Sequence, residues 1–249
     1  MSKQGTPVWY ELTTTDFAAA QSFYSKVLGW SVADSGMAGF DYLVASADEV
    51  MVAGMMKPSQ PGIPANWTIY FAVDDCDASA KAAEEAGGKV CAGPMDIPQV
   101  GRFAALSDPQ GAMFCILKGE GGDSQAFDQM KRGHGNWHEL MSPDPKAGLE
   151  FYSKLFGWMA STAMDMGPMG TYQLFSHDGK DIGGMMGQGN APMPCWLPYF
   201  ATEGVDAAIE RIKAGGGAIV HGPSEVPGGA WITVAHDPQG AHFAIVGPK

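Results

Sequence analysis

An internal duplication is the feature of this sequence that most constrains its fold. The segment WYELTTTDFAAAQSFYSKVLGW, from Trp9 to Trp30, is matched by WHELMSPDPKAGLEFYSKLFGW, from Trp137 to Trp158. Shorter matches follow at offsets of 128 to 130 residues: AGMM with GGMM, NWTIYFA with CWLPYFA, and SDPQGAMF with HDPQGAHF. A nearly constant offset of this kind predicts two copies of one structural unit along the chain.

The length of the chain agrees with two domains, because 249 residues are enough for two separate apolar cores. Between the copies runs the segment GEGGDSQAFDQMKRGHG, which is Gly-rich and polar at both ends and therefore typical of a linker. We expect a first domain over residues 1–118, a linker over residues 119–135 and a second domain over residues 136–249.

The spacing of apolar residues and the positions of capping and turn residues predict the order of helices and strands within a copy. Residues 8–12 alternate as in a strand, and Asp16 then caps a helix that ends at Gly29. Further strands are expected around residues 42–44 and 50–53. A second cycle is expected with a strand at 68–73, a helix after Asp75 that ends at Gly87, and strands at 103–106 and 113–116. Each copy therefore predicts two βαβββ modules.

Composition narrows the classes of partner. The net charge of -12 and the pI of about 4.7 disfavour nucleic acid and anionic membranes, since the chain shows no basic patch. The sequence has neither a membrane span nor the apolar core of a signal peptide, so a cytoplasmic location is expected. The four cysteines lack C-x-x-C spacing and are expected to be buried free thiols.

Several motifs in this order resemble the vicinal oxygen chelate superfamily of glyoxalases, bleomycin-resistance proteins and extradiol dioxygenases. They are FY-x-x-x-x-GW from Phe23 to Trp30, the Ala-Gly-Gly helix end at Ala86, and the D-P-x-G turn at Asp108, within paired βαβββ modules. The resemblance implies an α+β fold of tandem glyoxalase-like domains. In each domain two modules would form one cupped mixed sheet, whose concave face, the cup, holds a divalent metal or an apolar ligand.

The resemblance also implies where metal ligands would stand. The corresponding positions are Trp9 and Trp137, Thr68 and Leu197, Cys115 and Ala244, and the neighbourhoods of Gly54-Met55 and Gly184-Met185. A divalent cation needs three or four converging imidazole or carboxylate groups, which indole, leucine and alanine cannot replace. We therefore expect neither a metal nor another cofactor in either cup.

Two glutamates are the candidate catalytic residues. Side chains alternate along a strand, so Trp9 and Glu11 share one face, as do Trp137 and Glu139. A carboxylate beside an indole in an apolar site could act as a general base or as a hydrogen-bond acceptor. A purely structural role, in which Glu11 and Glu139 fix their strands by hydrogen bonds, is the alternative.

The same alternation of side chains along the strands predicts the other candidate ligand-binding residues. Besides the two tryptophans, they are Tyr42, Thr68, Tyr70 and Arg102 in the first copy and Tyr172, Tyr199 and His242 in the second. Arg102 is expected to clamp a carboxylate or phenolate. Because Trp231 takes its place in the second copy, the first cup is expected to be the better ligand site.

Three functions remain open from the sequence. The first is metal-independent binding of a small apolar or aromatic molecule. The second is a metal-independent or cofactor-assisted enzyme, of the hydroxylase-like tandem type, that uses Glu11 or Glu139. The third is a metal-dependent glyoxalase, epimerase or dioxygenase. The expected partner is a small molecule, and the chain is expected to be a monomer or a homodimer. The sequence identifies no ligand.

Overall fold

The computed structural model describes residues 2–37 and 39–249. Its first half has the following elements: β1 (Pro7–Thr13), α1 (Phe17–Leu28), β2 (Ser31–Asp34), β3 (Tyr42–Ala47), β4 (Val50–Met56), β5 (Asn66–Ala72), α2 (Cys76–Glu85), β6 (Lys89–Ile97), β7 (Gly101–Ser107) and β8 (Met113–Gly119).

The second half repeats this order and also contains a 3-10 turn at Gly167–Met169. Its elements are β9 (Gly135–Ser142), α3 (Pro145–Phe156), β10 (Met159–Asp165), β11 (Thr171–His177), β12 (Lys180–Gly187), β13 (Cys195–Ala201), α4 (Val205–Ala214), β14 (Ala218–Glu225), β15 (Trp231–His236) and β16 (His242–Gly247). The predicted α+β class and the two βαβββ modules in each copy are confirmed.

The described strands form two eight-stranded mixed sheets with the same topology. The orders are β2-β3-β4-β1-β5-β8-β7-β6 and β10-β11-β12-β9-β13-β16-β15-β14. In each module the first strand runs parallel to the last, as β1 does with β4 and β5 with β8, whereas the hairpin neighbours are antiparallel. A helix between parallel partners is the connection that such pairing requires.

Packing divides the chain into two compact units, and each unit takes one module from each repeat. The first unit comprises Met1–Val8, Ile69–Ser124 and Trp137–Leu197. The second comprises Trp9–Thr68, Gln125–Asn136 and Pro198–Lys249. Most of the Gly-rich segment between the repeats is therefore packed within the second unit.

Aromatic rings fill the core of each unit. In the first unit Trp158 stacks on Phe175 with ring centroids 4.5 Å apart, and Phe71 meets Trp158 edge-on at 5.1 Å. In the second unit Phe200 meets Trp30 edge-on, also at 5.1 Å. Such ring pairs stabilise the fold by about 0.5–1.5 kcal/mol beyond the burial of their surface area. The aromatic residues that recur in both repeats therefore serve core packing.

Helix α1 begins and ends at the predicted residues, whereas α2 begins after Asp75 as predicted but ends at Glu85, before the predicted Gly87. The carboxylate of Asp16 accepts from the backbone N–H of Ala19 at 2.9 Å, and Gly29 ends α1 with a φ of 77°. Asp144 caps α3 in the same way. The exception is α4, which follows Gly204 and has no side-chain cap. Three of the four helices therefore gain about 1 kcal/mol from a capping carboxylate.

Buried hydrogen bonds attach each D-P-x-G turn to a helix of its unit. In the second unit the hydroxyl of Tyr24 accepts from Trp67 Nε1 at 2.9 Å and donates to Asp237 at 3.0 Å. The other oxygen of Asp237 accepts from the backbone N–H groups of Gln239 and Ala241. These groups are buried and satisfied, which is the usual condition for polar groups in a core.

The first unit repeats this arrangement. The hydroxyl of Tyr152 accepts from Trp196 Nε1 at 2.9 Å and donates to Asp108 at 3.1 Å. Burial raises the pKa of Asp108 above its usual range, although the hydrogen bonds from backbone and Tyr152 act in the opposite direction. These two aspartates are therefore structural residues.

The cysteine prediction is only partly right. All four thiols are free, and Cys76 and Cys115 are buried. Cys195 is half-buried, whereas Cys91 is exposed because it lies on β6, at the edge of its sheet. Across the described residues no helix has both the length and the apolar character needed to cross a membrane.

Candidate functional site

Three side chains of the first repeat form a hydrogen-bonded triad on one face of the sheet. Trp9 and Glu11 lie on β1, and Tyr42 opens β3. The indole Nε1–H of Trp9 donates to the Tyr42 hydroxyl at 2.8 Å, and that hydroxyl donates to Glu11 Oε2 at 2.9 Å. All three are half-buried. The structure thus brings together three of the residues expected to line the first cup. We call Trp9, Tyr42 and Glu11 the first triad.

The second repeat contains the same triad, here called the second triad. Trp137 Nε1–H donates to the Tyr172 hydroxyl at 2.9 Å, and Tyr172 donates to Glu139 Oε2 at 2.9 Å. The two copies agree in partners, in direction and nearly in distance. Trp137 and Glu139 were expected to share a strand face, and Tyr172 connects them by accepting from one and donating to the other.

Two glycines that sequence reasoning did not select make room for the tyrosines. Gly54 on β4 lies opposite Glu11 on β1, and Gly184 lies opposite Glu139. A Cβ added to Gly54 would fall 1.8 Å from the Tyr42 hydroxyl. At Gly184 it would meet the equivalent tyrosine ring at 2.1 Å. The AGMM and GGMM repeats were the available signal, because each places its glycine under the ring.

The direction of the hydrogen bonds follows from the chemistry of the groups. An indole N–H can only donate, so the tyrosine oxygen must accept from it and its own proton goes to the glutamate. Burial, and then the negative charge of Glu139, raise the pKa of Tyr172 well above its usual value. Tyr172 therefore stays protonated at neutral pH and remains a donor, so the carboxylate is the acceptor at the end of each triad.

The surroundings of the two triads differ. Glu11 is half-buried and Phe40, which is 48% exposed, stacks on Tyr42 with ring centroids 5.9 Å apart. Glu139 is buried at 8% exposure. Burial, followed by the charge of Glu139, raises the pKa of Cys195 to about 11, so that thiol stays protonated. The first triad is thus the more accessible one.

The other expected ligand-binding residues lie on the neighbouring strands β5, β13 and β16. Thr68 is half-buried and its hydroxyl lies 3.4 Å from Asn66 Oδ1. Tyr70 and Tyr199 are buried, at 5% and 3% exposure. His242 is exposed at the start of the last strand, where its ring centroid lies 5.7 Å from that of His236.

The prediction that Arg102 lines the first cup was wrong. Its guanidinium forms a two-bond ion pair with Asp77 on α2, at 2.7 and 2.9 Å, and a third bond to Asp96 on β6 at 3.0 Å. The reason is parity along β7, because Arg102 shares its strand face with the buried Ala104, on the side of helix α2, and Phe103 takes the opposite face. The guanidinium is therefore occupied by two carboxylates of its own module.

The expected role of Trp231 also changes. This residue is half-buried at the start of β15, and the ammonium of Lys249 lies 4.2 Å from the centre of its ring. The contact is a cation–π interaction near the surface. The contrast between Arg102 and Trp231 therefore gives no reason to prefer one cup over the other.

The side chains at the expected metal positions do not fit a divalent cation. The indole of Trp9 is a donor, Gly54 has no side chain, and Cys115 is buried at 5% exposure. In the part of the chain that the structure describes, no three His, Cys, Asp or Glu side chains are grouped so that they could hold a metal ion. Because such a cation needs several converging anionic or imidazole ligands, this donor set is unsuitable. The absence of a metal in solution stays a prediction.

Comparisons with known proteins agree with the repeat. The model of the Glyoxalase/Bleomycin resistance protein/Dioxygenase superfamily matches residues 6–116 and again residues 135–245. "Putative glyoxylase CFP32" of Mycobacterium tuberculosis is 31% identical over 255 residues, which cover 99% of this chain and 96% of that protein. "Anthracycline biosynthesis protein DnrV" of Streptomyces peucetius is 33% identical over 262 residues, covering 97% and 93%.

A solved structure with the same fold is the Mn(II)-bound glyoxalase from Novosphingobium aromaticivorans. It has a TM-score of 0.70 and 19% identity, over 99% of this chain and 83% of that one. At this identity the likeness concerns the fold alone. With two matches to the family model and relatives above 30% identity along nearly the whole length, the chain belongs to the glyoxalase/bleomycin resistance protein/dioxygenase superfamily.

Proposed function

We propose that this protein binds a small, largely apolar and aromatic molecule against its Trp–Tyr–Glu triads, without a metal. The observation that carries the proposal is the duplicated triad, in which a tryptophan donates to a tyrosine and the tyrosine donates to a carboxylate acceptor. Small-molecule sites are mostly apolar, with a few fixed polar groups that orient the ligand. Each triad has this composition.

The first triad is the better candidate for ligand entry. Trp9, Glu11 and Tyr42 are half-buried, and the ring of Phe40 beside them is 48% exposed. A planar ligand could cover this ring and remove its apolar surface from water, which is favourable by about 25 cal/mol per Å². The second triad, where Glu139 is buried, needs a larger local opening.

Two observations support binding without a metal. The triads use the space where the family's metal ligands would stand, since Trp9 holds one such position and the tyrosine ring lies over Gly54 at another. A ligand can be held here by ring stacking and by hydrogen bonds to the carboxylate alone. The relatives from Streptomyces, named as anthracycline biosynthesis proteins, also favour an aromatic ligand.

An enzyme of the same superfamily is the second candidate. Glu11 and Glu139 are carboxylates held by a tyrosine hydroxyl, and a positioned carboxylate can remove a proton from a bound substrate. A relative whose name contains glyoxylase favours this candidate. In this case the triad would serve as a general base with an orienting tyrosine.

Calorimetric titration with 2-methoxynaphthalene tests the binding proposal. We expect saturable binding with the same Kd, within about twofold, in EDTA and in added Mn(II) or Zn(II). Tyr42→Ala, which removes the ring between Trp9 and Glu11, should abolish most of the binding, whereas Glu84→Gln on the exposed face of α2 should leave it unchanged. Absence of binding by this probe and also by 2-naphthol and 2-naphthoate, or binding that requires the metal, would contradict the proposal.

Proton exchange separates the enzyme from the binding protein. If Glu11 or Glu139 acts as a base, the protein should catalyse incorporation of deuterium from D2O next to the carbonyl of an α-hydroxy ketone. Glu11→Gln with Glu139→Gln should abolish that exchange. Exchange at the uncatalysed rate, together with tight binding of the naphthalene probe, would favour the binding function.

A further inference from the structure

We infer that the ligand of the triads is a neutral hydroxy-aromatic, a phenol or an enol on a planar ring, whose O–H donates to Glu11 or Glu139. This inference rests on the proposed function, because it names the ligand class for the same site. It follows from the direction of the hydrogen bonds, from the charges around the site and from the shape of the exposed ring.

The first step is the polarity of the triad. The indole of Trp9 donates to Tyr42, and Tyr42 donates to Glu11, so every proton in the triad points towards the carboxylate. An ionised carboxylate is an acceptor only and has about four lone-pair positions for donors. A ligand that contacts it must therefore bring a donor. The second triad, from Trp137 to Glu139, has the same polarity and makes the same demand.

The second step is the charge of the surroundings. Lys57, directly after β4, is already paired with Asp41 at 2.7 Å, and Arg102 is paired with Asp77 and Asp96 on the helix side of β7. A ligand carboxylate beside Glu11 would thus meet a like charge. The chain as a whole carries a net charge of -12, which adds to this repulsion. A neutral donor is favoured over an anion.

The third step is the shape of the surface next to the first triad. Phe40 stacks on Tyr42 with an angle of 25° between the rings, and about half of Phe40 is exposed. Because the two rings lie one over the other, the exposed face of Phe40 is a flat apolar surface on which a third ring can stack by an offset contact. Among neutral donors, a planar hydroxy-aromatic satisfies both the flat apolar surface and the carboxylate acceptor.

Three matched probes test the ligand class on the wild-type protein. They share the naphthalene ring and differ only in one group: 2-naphthol is a neutral donor, 2-methoxynaphthalene an acceptor, and 2-naphthoate an anion. At pH 7 in EDTA we expect 2-naphthol to bind about 10- to 100-fold more tightly than the ether, because a hydrogen bond to a charged group is worth about this much. The naphthoate should bind more weakly than the ether.

The glutamate variants locate the effect. In Glu11→Gln with Glu139→Gln each carboxylate becomes an amide of the same shape that can donate as well as accept, so the preference for 2-naphthol over the ether should fall below about threefold. Glu84→Gln with Glu85→Gln, two exposed positions on α2, should keep the full preference. Circular dichroism and the thermal midpoint show that the variants fold. If the variant does not fold, the probe ratio on the wild type still decides the ligand class.

The outcomes distinguish this inference from the function on which it rests. Equal affinity for 2-naphthol and 2-methoxynaphthalene would overturn the ligand class and leave metal-independent binding standing. Tighter binding of the naphthoate, or a preference that persists in the glutamine variant, would also overturn it. Failure of all three probes to bind would overturn the proposed function itself.

Discussion

The hydroxyl of Tyr172 donates to Oε2 of Glu139 over 2.9 Å. In the other repeat Tyr42 and Glu11 have the same relationship at the same distance. Each tyrosine is oriented by an indole N–H and has a glycine beneath its ring. Both copies of the duplicated module have therefore kept an acceptor carboxylate at the end of an aromatic triad.

The glycines beneath the tyrosines should be intolerant of a single added carbon. In Gly54→Ala the new Cβ would lie 1.8 Å from the Tyr42 hydroxyl, so the ring must move and the bonds to Trp9 and Glu11 must break. We expect a loss of about 1–3 kcal/mol in the free energy of unfolding, which is typical of overpacking. Binding of 2-naphthol should weaken at least about tenfold.

The control for this prediction is Gly121→Ala, where an added Cβ would have no atom within 4 Å. Urea unfolding and calorimetry on both variants provide the measurement. If Gly54→Ala behaved like Gly121→Ala, the tyrosine would not be held over the glycine and the triad geometry would be wrong.

The buried hydroxyl of Tyr24 should matter more for stability than the half-buried hydroxyl of Tyr42. Tyr24→Phe leaves the N–H of Trp67 and an oxygen of Asp237 without their partner inside a core. Each unsatisfied buried group costs about 1–3 kcal/mol, whereas water can replace the hydroxyl in Tyr42→Phe. Urea unfolding should show clearly different losses for the two variants, and equal losses would contradict this distinction.

His138 should make the stability of the first unit depend on pH. Its side chain is fully buried, its Nδ1–H donates to the Ile182 carbonyl at 2.7 Å, and burial lowers its pKa to about 4. The unfolded chain binds a proton near pH 6.5, where the folded chain does not. The stabilisation is therefore complete above pH 6.5 and is lost as the pH falls towards 4, by on the order of 3 kcal/mol.

Comparison with His138→Gln isolates this effect. The difference in unfolding free energy between wild type and variant, measured in urea at several pH values from 7.5 to 4.5, should shrink as the pH falls. Lost packing against Phe71 contributes a constant that does not depend on pH. A difference that stayed constant over this range would mean that His138 is not held neutral by burial.

Arg102→Ala should leave ligand binding unchanged. Its guanidinium is bonded to Asp77 and Asp96 on the helix side of β7, so it does not contact a ligand at the triads. We expect the Kd for 2-naphthol to stay within about twofold of wild type. The thermal midpoint should fall less than in Tyr24→Phe, because partly exposed ion pairs contribute little. A large loss of affinity in Arg102→Ala would contradict this prediction and would mean that Arg102 takes part in ligand binding.

The repeat, the helix ends and the strand alternation could be predicted from the sequence because they depend on local rules. Asp16 caps α1 and Gly29 ends it because aspartate favours helix starts and glycine favours helix ends. Trp9 and Glu11 share a face because residues two apart in a strand point to the same side. The equivalent positions of the two glutamates in their repeats followed from the duplication. These features need no knowledge of strand pairing.

The rest of the site depends on register, which the sequence does not specify. Tyr42 reaches Glu11 only because β3 and β1 both pair with β4, where Gly54 lies opposite Glu11 and beneath the Tyr42 ring. Arg102 was misplaced for the same reason, since a shift by one residue along β7 exchanges it with Phe103. Its carboxylate partner on α2 is 25 residues away in the chain.

A crystal structure of the protein grown with 2-naphthol and EDTA tests the central proposal most directly. We expect the naphthol ring against Tyr42 or Tyr172, with its hydroxyl about 2.5–2.7 Å from the carboxylate of Glu11 or Glu139. We expect no anomalous peak from a transition metal beside the ring. A ligand seated away from both triads, or one coordinated to a metal ion, would contradict metal-independent recognition by the triads.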